Sequence, residues 1–139
     1  MLPTEEALII RKLEHLADAV SIGRDDYLLA RAAHGARIGS HFTVDASIDL
    51  GRPFQPMEGR QALANFVTSL SMPSDGVYVT VFDMSVTFDR RLLIATGRLS
   101  ACVSSQSSGD EGVYRVRLFD IMLRQIDGDW LVQDLRVVN

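Results

Sequence analysis

From Val77 onward the chain carries four long runs rich in β-branched and aromatic residues, 77–88, 92–104, 113–126 and 130–138. Turn signals separate them: Asp89-Arg90-Arg91, residues 107–112, and Asp127-Gly128-Asp129. Connections this short force consecutive strands to run antiparallel, so the C-terminal half is expected as a meander. The Asp-Gly pair supplies the positive φ that a tight hairpin turn requires.

The first half has a helical period. Leu8, Ile9, Leu13, Leu16, Ala17 and Val20 recur at i, i+3 and i+4, which predicts a helix over 5–22. Thr4 is its expected N-cap, Glu5 and Glu6 suit the positive end of its dipole, and Gly23 is its expected stop. A second helix is expected over 25–41, in which Gly35 and Gly39 each cost about 1 kcal/mol relative to alanine. Residues 42–50 alternate Val44, Ala46, Ile48 and Leu50 with Asp45, Ser47 and Asp49, the pattern of a short strand. Gly51, Pro53 and Pro56 break the chain into a loop, and 58–70 is expected as a third helix with Ala62, Leu63, Phe66, Val67 and Leu70 on one face. Helices followed by strands predict an α+β fold: three N-terminal helices packed on a curved antiparallel sheet. At 139 residues this is expected to be a single domain.

Composition narrows the function classes. Apolar residues make up 47% of the chain, which provides a core and argues against disorder. Lys and Arg total 14 against 18 Asp and Glu, the wrong sign for a protein that neutralises nucleic-acid phosphates. Apolar runs reach only four residues, as at 7–10 and 92–95, so no membrane segment is expected. The start Met1-Leu2-Pro3-Thr4-Glu5-Glu6 lacks the pattern of an export signal, and Cys102 has no second cysteine to bridge. A cytoplasmic location is the expectation.

Most catalytic constellations are missing from the sequence: there is no Gly-rich phosphate loop, no Gly-x-Ser-x-Gly elbow and no zinc-spaced Cys/His cluster. His34 and His41, seven apart and able to share a helical face with Tyr27 and Ile38, are expected to be structural, and no metal or cofactor is expected. Cys102, between Ser100 and Ser104 at strand spacing, reads as a buried small hydrophobe.

The order of Gly23-Arg24-Asp25, His41-Phe42, Thr43-Val44-Asp45-Ala46, the run from Glu58-Gly59-Arg60 to Asn65-Phe66, and Asp127-Gly128-Asp129-Trp130-Leu131-Val132 resembles the nuclear transport factor 2-like superfamily, and within it SnoaL-like proteins. The resemblance spans about Glu5 to Val138 and implies a cone whose interior is the ligand site. It also implies where acids and bases would stand, and most of those places are empty of them. The helix-one tyrosine of the steroid isomerases is matched by Leu16, and their general-base aspartate by Leu50. Asp49, beside Leu50, faces the other way unless a bulge turns it inward. The aspartate–histidine dyad of the dehydratases and dehydrochlorinases is matched by Ser21 and Val79.

One family position is retained. Asp120 matches the second acid of the isomerases, ten residues before Trp130, with Tyr114, Val116, Leu118 and Met122 at period two around it. On such a face a desolvated carboxyl can stay protonated and donate a hydrogen bond, behaviour documented for that isomerase family itself. The alternative is an ion pair with Arg98 or Arg124. Asp83, after Val77, Val79 and Val81, is a second candidate acid at the cavity rim or the sheet edge. Arg60 is expected to anchor a loop or a helix contact, and Arg115 and Arg117 to share the outer sheet face with Phe119, Ile121 and Leu123. That outer face, if apolar and exposed, implies a homodimer.

Together these readings place Leu16, Phe42, Leu50, Phe66, Val79, Leu118 and Met122 around one cavity, with Asp120 deep and Asp83 nearer its mouth. Such a lining selects a small hydrophobic molecule with an oxygen function and disfavours charged metabolites such as phosphates. The expected function is an isomerase, cyclase or dehydratase acting on a small hydrophobic carbonyl compound; the alternative is a non-catalytic ligand-binding or dimeric interaction module of the same fold.

Overall fold

The structure, a computed structural model, describes residues 4–20, 22–23, 35–52, 54–69, 76–104 and 115–138. Ser21, Tyr27, His34, Leu70, Val113, Tyr114, the first part of the expected second helix and the 107–112 turn lie outside the described residues.

Helix α1 spans Glu5–Val20. Thr4 caps it as expected: its hydroxyl accepts the Ala7 N–H at 3.1 Å and its carbonyl accepts Leu8 N–H at 3.0 Å. The helix ends before Gly23 because Ile22–Gly23 form a short strand, β1, paired with Val77 and Gly76. Residues 35–39 are helical and lead through a turn at Ser40 and His41 into β2, Phe42–Asp49. Gly39 sits where a Cβ would stand 3.0 Å from the Arg60 stem. Arg60 anchors this junction, donating from Nε and Nη2 to the Phe42 carbonyl at 3.0 and 2.6 Å.

Strand β3, Met57–Glu58, pairs with β2 and takes Glu58 from the expected third helix. Gly59, at φ +94°, turns the chain and donates to the Ala46 carbonyl at 2.7 Å before helix α2, Arg60–Ser69. Four long strands follow: β4 (Gly76–Asp89), β5 (Ile94–Ser104), β6 (Arg115–Ile126) and β7 (Asp129–Val137). The β6–β7 hairpin turns on Asp127 and Gly128, both at positive φ, the conformation expected of an Asp-Gly turn.

The sheet has seven strands in the order β1-β4-β5-β6-β7-β2-β3. The meander is antiparallel, but β2 runs parallel to β7, so the expectation of a wholly antiparallel sheet is corrected. Short turns dictate antiparallel neighbours only between consecutive strands. The connection from β2 to β7 passes through α2 and the whole meander, so turn chemistry places no demand on that pair.

Helices α1 and α2 cover one face of the sheet, called here the inner face. Ile9 and Leu13 of α1 and Leu63 and Val67 of α2 are buried in one cluster with Phe119, Ile121 and Leu123 of β6. At the hairpin end the Trp130 indole N–H donates to Glu5 Oε2 at 2.9 Å and its ring meets Phe88 edge-on at 5.3 Å.

Phe119, Ile121 and Leu123 are therefore the core and not an exposed dimer patch, while Leu118, Asp120 and Met122 point to the outer face. A strand that is apolar at both parities does not reveal which side is buried, and choosing the other parity moves every side chain to the wrong face.

Two irregularities re-aim side chains. In β4 one extra residue lies between Phe82 and Ser85, and Asp83 there adopts φ +52°. The bulge keeps Val79 and Val81 on the same face as Met84, Val86 and Phe88. It also brings the Ser85 carbonyl so close to Gly97 that a Cβ on Gly97 would lie 2.2 Å from it, so only glycine fits. The second lies around β7: Gln133 is extra against β6, between Val132 and Asp134, while against β2 the surplus is on β2, between Phe42 and Ser47.

Candidate functional site

Burial along the inner face is graded. On β6 it runs from Leu123 at 0% exposed through Ile121 at 4% to Phe119 at 7%, and ends in half-buried Arg117. On β5 Ala95 and Leu99 are buried and Ala101 is half-buried; on β7 Val132 is buried and Leu135 and Val137 are half-buried. On these strands the hairpin end is the more enclosed, whereas on β4 Val86 and Phe88 at that end are half-buried like Val79 and Val81. The opposite end, where β2 and β7 finish and β4 and β6 begin, keeps accessible apolar surface.

Four of the expected pocket residues meet on this side. Leu16 and Phe42 belong to the buried cluster, and Leu50 and Phe66 pack against it. Phe66 also meets Phe54 edge-on at 5.3 Å. Val79 is half-buried, on the same strand face as Val81. Leu118 and Met122 do not join them, for the reason of parity already given.

The expected acids stand elsewhere. Asp120 is exposed on the outer face and its Oδ1 lies 2.9 Å from Arg98 Nε. Of the two arrangements open to it from the sequence, it takes the ion pair. Asp83 is exposed at the β4 bulge. Neither carboxyl stands on the enclosed apolar face among the core residues. Asp49 is not turned inward: it is directly opposite Arg136 in the β2–β7 register, and its Oδ1 accepts the Gly51 N–H at 3.0 Å.

A charged group that β6 places on the inner face is Arg117, with Gln125 a second polar residue on that face at the hairpin end. Arg117 pairs with Ala101 across β5 and shares the face of Phe119, two residues on. Its Nη1 donates to the Leu50 carbonyl at 2.6 Å and its Nη2 to the Arg52 carbonyl at 2.7 Å. Gly51 permits this approach: it sits at φ +82°, and a Cβ there would be 2.7 Å from Arg117 Nη1. The strand spacing groups Arg117 correctly with Phe119 and Ile121, but the face they share is the inner one and not the outer one expected. The signal that corrects it lies in β5, where Thr96, Arg98 and Ser100 alternate with Ala95, Gly97, Leu99 and Ala101; their antiparallel partners on β6 inherit the same sides.

The outer face carries a cross-strand row, Ser85, Arg98, Asp120, Arg136 and Asp49, in strand order β4, β5, β6, β7, β2. An open depression of about 470 Å³ lies over its first four members, Ser85 to Arg136, bordered also by Thr87, Thr96, Met122 and Asp134. Cys102 is a free thiol, half-buried on this same side, and not the fully buried hydrophobe expected.

At the junction into β2, His41 is half-buried and its Nδ1 has no hydrogen-bond partner among the described residues. Burial, followed by the positive charge of Lys12 and then of His15, holds its imidazole below the ordinary 6.5. Nearby, the Thr43 hydroxyl donates to Asp45 Oδ1 at 3.1 Å and is the main reason this carboxyl is lowered from its ordinary value. Among the described residues no group of three or more His, Cys, Asp or Glu is arranged to hold a metal, and no helix is long and apolar enough to cross a membrane.

The architecture has clear counterparts among solved structures. Aln2 from a Streptomyces species superposes with a TM-score of 0.75 at 10% identity, over 99% of this chain and 93% of that one. An NTF2-like protein with a cystatin-like fold from Novosphingobium aromaticivorans gives 0.71 at 16% identity, over 92% and 79%. This chain has the nuclear transport factor 2-like fold. A candidate scytalone dehydratase from Novosphingobium aromaticivorans shares the fold with a TM-score of 0.66 at 13% identity, over 93% and 79%. No family model matches the sequence, and no curated protein matches it at a significant level. The likeness to nuclear transport factor 2-like and SnoaL-like proteins read from the sequence thus holds at the level of fold.

Proposed function

We propose that the inner face, at the end away from the β6–β7 hairpin, receives a small hydrophobic molecule with an oxygen function, and that the chain isomerises, cyclises or dehydrates it. The whole chain, 1–139, is one functional unit in this reading, and the single free thiol Cys102 is compatible with a reducing, cytoplasmic setting. The burial gradient carries the proposal. Leu50, Ala101, Leu135 and Val137, half-buried together at that end, are apolar surface that a ligand could cover. The fold shared with a candidate scytalone dehydratase supports the reaction class.

The test is a thermal-shift screen of steroids, polycyclic aromatics and polyketide-like ketones, followed by product analysis for every ligand that binds. Ala101→Phe, which adds bulk on the inner face, should abolish the shift, and Met122→Phe on the outer face should leave it intact. Loss in the outer-face variant alone, or no response to any hydrophobic ligand, would remove the reading. Binding without turnover would leave a non-catalytic ligand-binding module.

A dimer through the outer face is the second reading, and the charged row favours it. Arg98, Asp120, Arg136 and Asp49 alternate in sign across four strands. A two-fold axis lying in the interface and running along the strands between Asp120 and Arg136 reverses the row, setting Arg98 of one copy against Asp49 of the other. Light scattering at micromolar concentration tests it: Arg136→Glu should yield monomers, and a monomeric native chain would end this reading.

A further inference from the structure

We propose that Arg117 binds an anionic oxygen of the molecule held at the inner face, so that the ligand is a hydrophobic carboxylate or an acidic enol carried as its enolate. This rests on the inner-face reading above and specifies its ligand class.

Arg117 is a half-buried charge on a face whose neighbours in the strand ladder, Ala101, Phe119 and Val137, are apolar. Its two recorded partners, the carbonyls of Leu50 and Arg52, accept hydrogen bonds but carry no countercharge. Among the described residues no carboxylate lies within ion-pair distance of it; the ion pairs there join Arg98 to Asp120 and Arg136 to Asp134. A guanidinium partly withdrawn from water, with no anion beside it among the described residues, keeps a positive potential over the surface it faces.

The geometry around it is that of a held group. Two N–H groups are engaged by two carbonyls of one loop, and the remaining donors have no partner among the described residues. Asp49 Oδ1 fixes that loop through the Gly51 N–H, the Gly51 carbonyl accepts the Phe54 N–H at 3.0 Å, and Gly51 is the residue that lets the backbone come this close. With both ends of its plane set by backbone carbonyls, the guanidinium loses little further freedom when an anion arrives, and its fork matches the two oxygens of a carboxylate. Ala101, directly opposite on β5, is small and leaves room beside the stem.

A residue that merely ties β6 to the loop would affect stability and be indifferent to the ligand's charge. The experiment therefore measures selectivity on the full chain with 2-naphthoate and 2-naphthamide, which share a hydrocarbon frame and differ in charge, and with the enol-acidic 2-acetyl-1,3-cyclohexanedione as a third probe. The native chain should bind 2-naphthoate about tenfold tighter than the amide, the size expected for one charge-assisted contact, and the preference should shrink with added salt. Arg117→Met should lose the preference while keeping amide affinity within about threefold, and Arg117→Lys should keep part of it. If Arg117→Met does not fold, the lysine variant and the salt dependence still decide the matter. Equal binding of acid and amide by the native chain, or an undiminished preference in Arg117→Met, overturns the anchor while leaving the hydrophobic site standing. Binding of none of the three probes overturns the anchor and the inner-face reading together.

Discussion

The two faces of strand β6 differ by one residue in register and by almost everything in consequence. Phe119, Ile121 and Leu123 are enclosed by α1 and α2, whereas Leu118, Asp120 and Met122, interleaved with them, stand on the other side of the sheet. Each set is mostly apolar; the inner one adjoins Arg117, and the outer one includes Asp120 and adjoins Arg124. On β6 the charge on the helix side is thus the cation Arg117, and the acid Asp120 stands on the other side.

This contrast is sharpest in packing. Leu123→Ala should cost about 2–5 kcal/mol in denaturant unfolding because a fully enclosed side chain leaves a cavity. Met122→Ala, its neighbour on the outer face, should cost below about 1 kcal/mol. Equal losses would mean that the faces are not as different as their burial indicates.

Between the faces runs the backbone of β4 and β5, and Gly97→Ala probes how closely the two approach. The added methyl meets the Ser85 carbonyl at the bulge, so a loss of about 1–3 kcal/mol is expected in the same unfolding measurement. Gly128→Ala, where a Cβ meets nothing within 4 Å, separates the crowding effect from the positive-φ effect, since only the latter operates there.

A smaller effect belongs to the helix side. His41 has its imidazole lowered in the fold, so below about pH 6.5 the unfolded chain binds the proton more readily than the native one. Stability should be highest above that value and decline as pH falls through and below it. His41→Gln should flatten this part of a stability-against-pH curve, and an unchanged slope would assign the dependence to other groups.

The smallest effect is expected from the outer row. Arg98 and Asp120 form a short ion pair, but their side chains are 54% and 56% exposed, so a double-mutant cycle should find at most about 1 kcal/mol, weaker in high salt. A larger coupling would mean that this face is covered in solution, as the dimer reading requires.

Much of the architecture was legible because local chemistry leaves little choice. Thr4 caps α1, Asp127-Gly128 makes the last hairpin, and the long strands begin and end within a few residues of their patterned runs. The candidate site was less legible. Leu16, Phe42, Leu50 and Phe66 are readable because each lies on the single apolar face of its element. Leu118, Met122 and Asp120 are not, because β6 offers two apolar faces, and the strand read alone does not say which one the helices take. The polar alternation of β5 carries that information, but it reaches β6 only through pairing register.

The sequence by itself determined the elements, their antiparallel succession from β4 to β7, and a mixed helix-and-sheet fold, since propensity, capping and turn geometry act over a few residues. The tertiary structure alone decided that β2 joins β7 in parallel, that the Ser85 carbonyl beside the β4 bulge crowds Gly97, and that Arg117 faces the helices while Asp120 faces away. Those outcomes depend on which surfaces meet across residues distant in the chain, and a period of two is identical whichever face of a strand is the one that is buried.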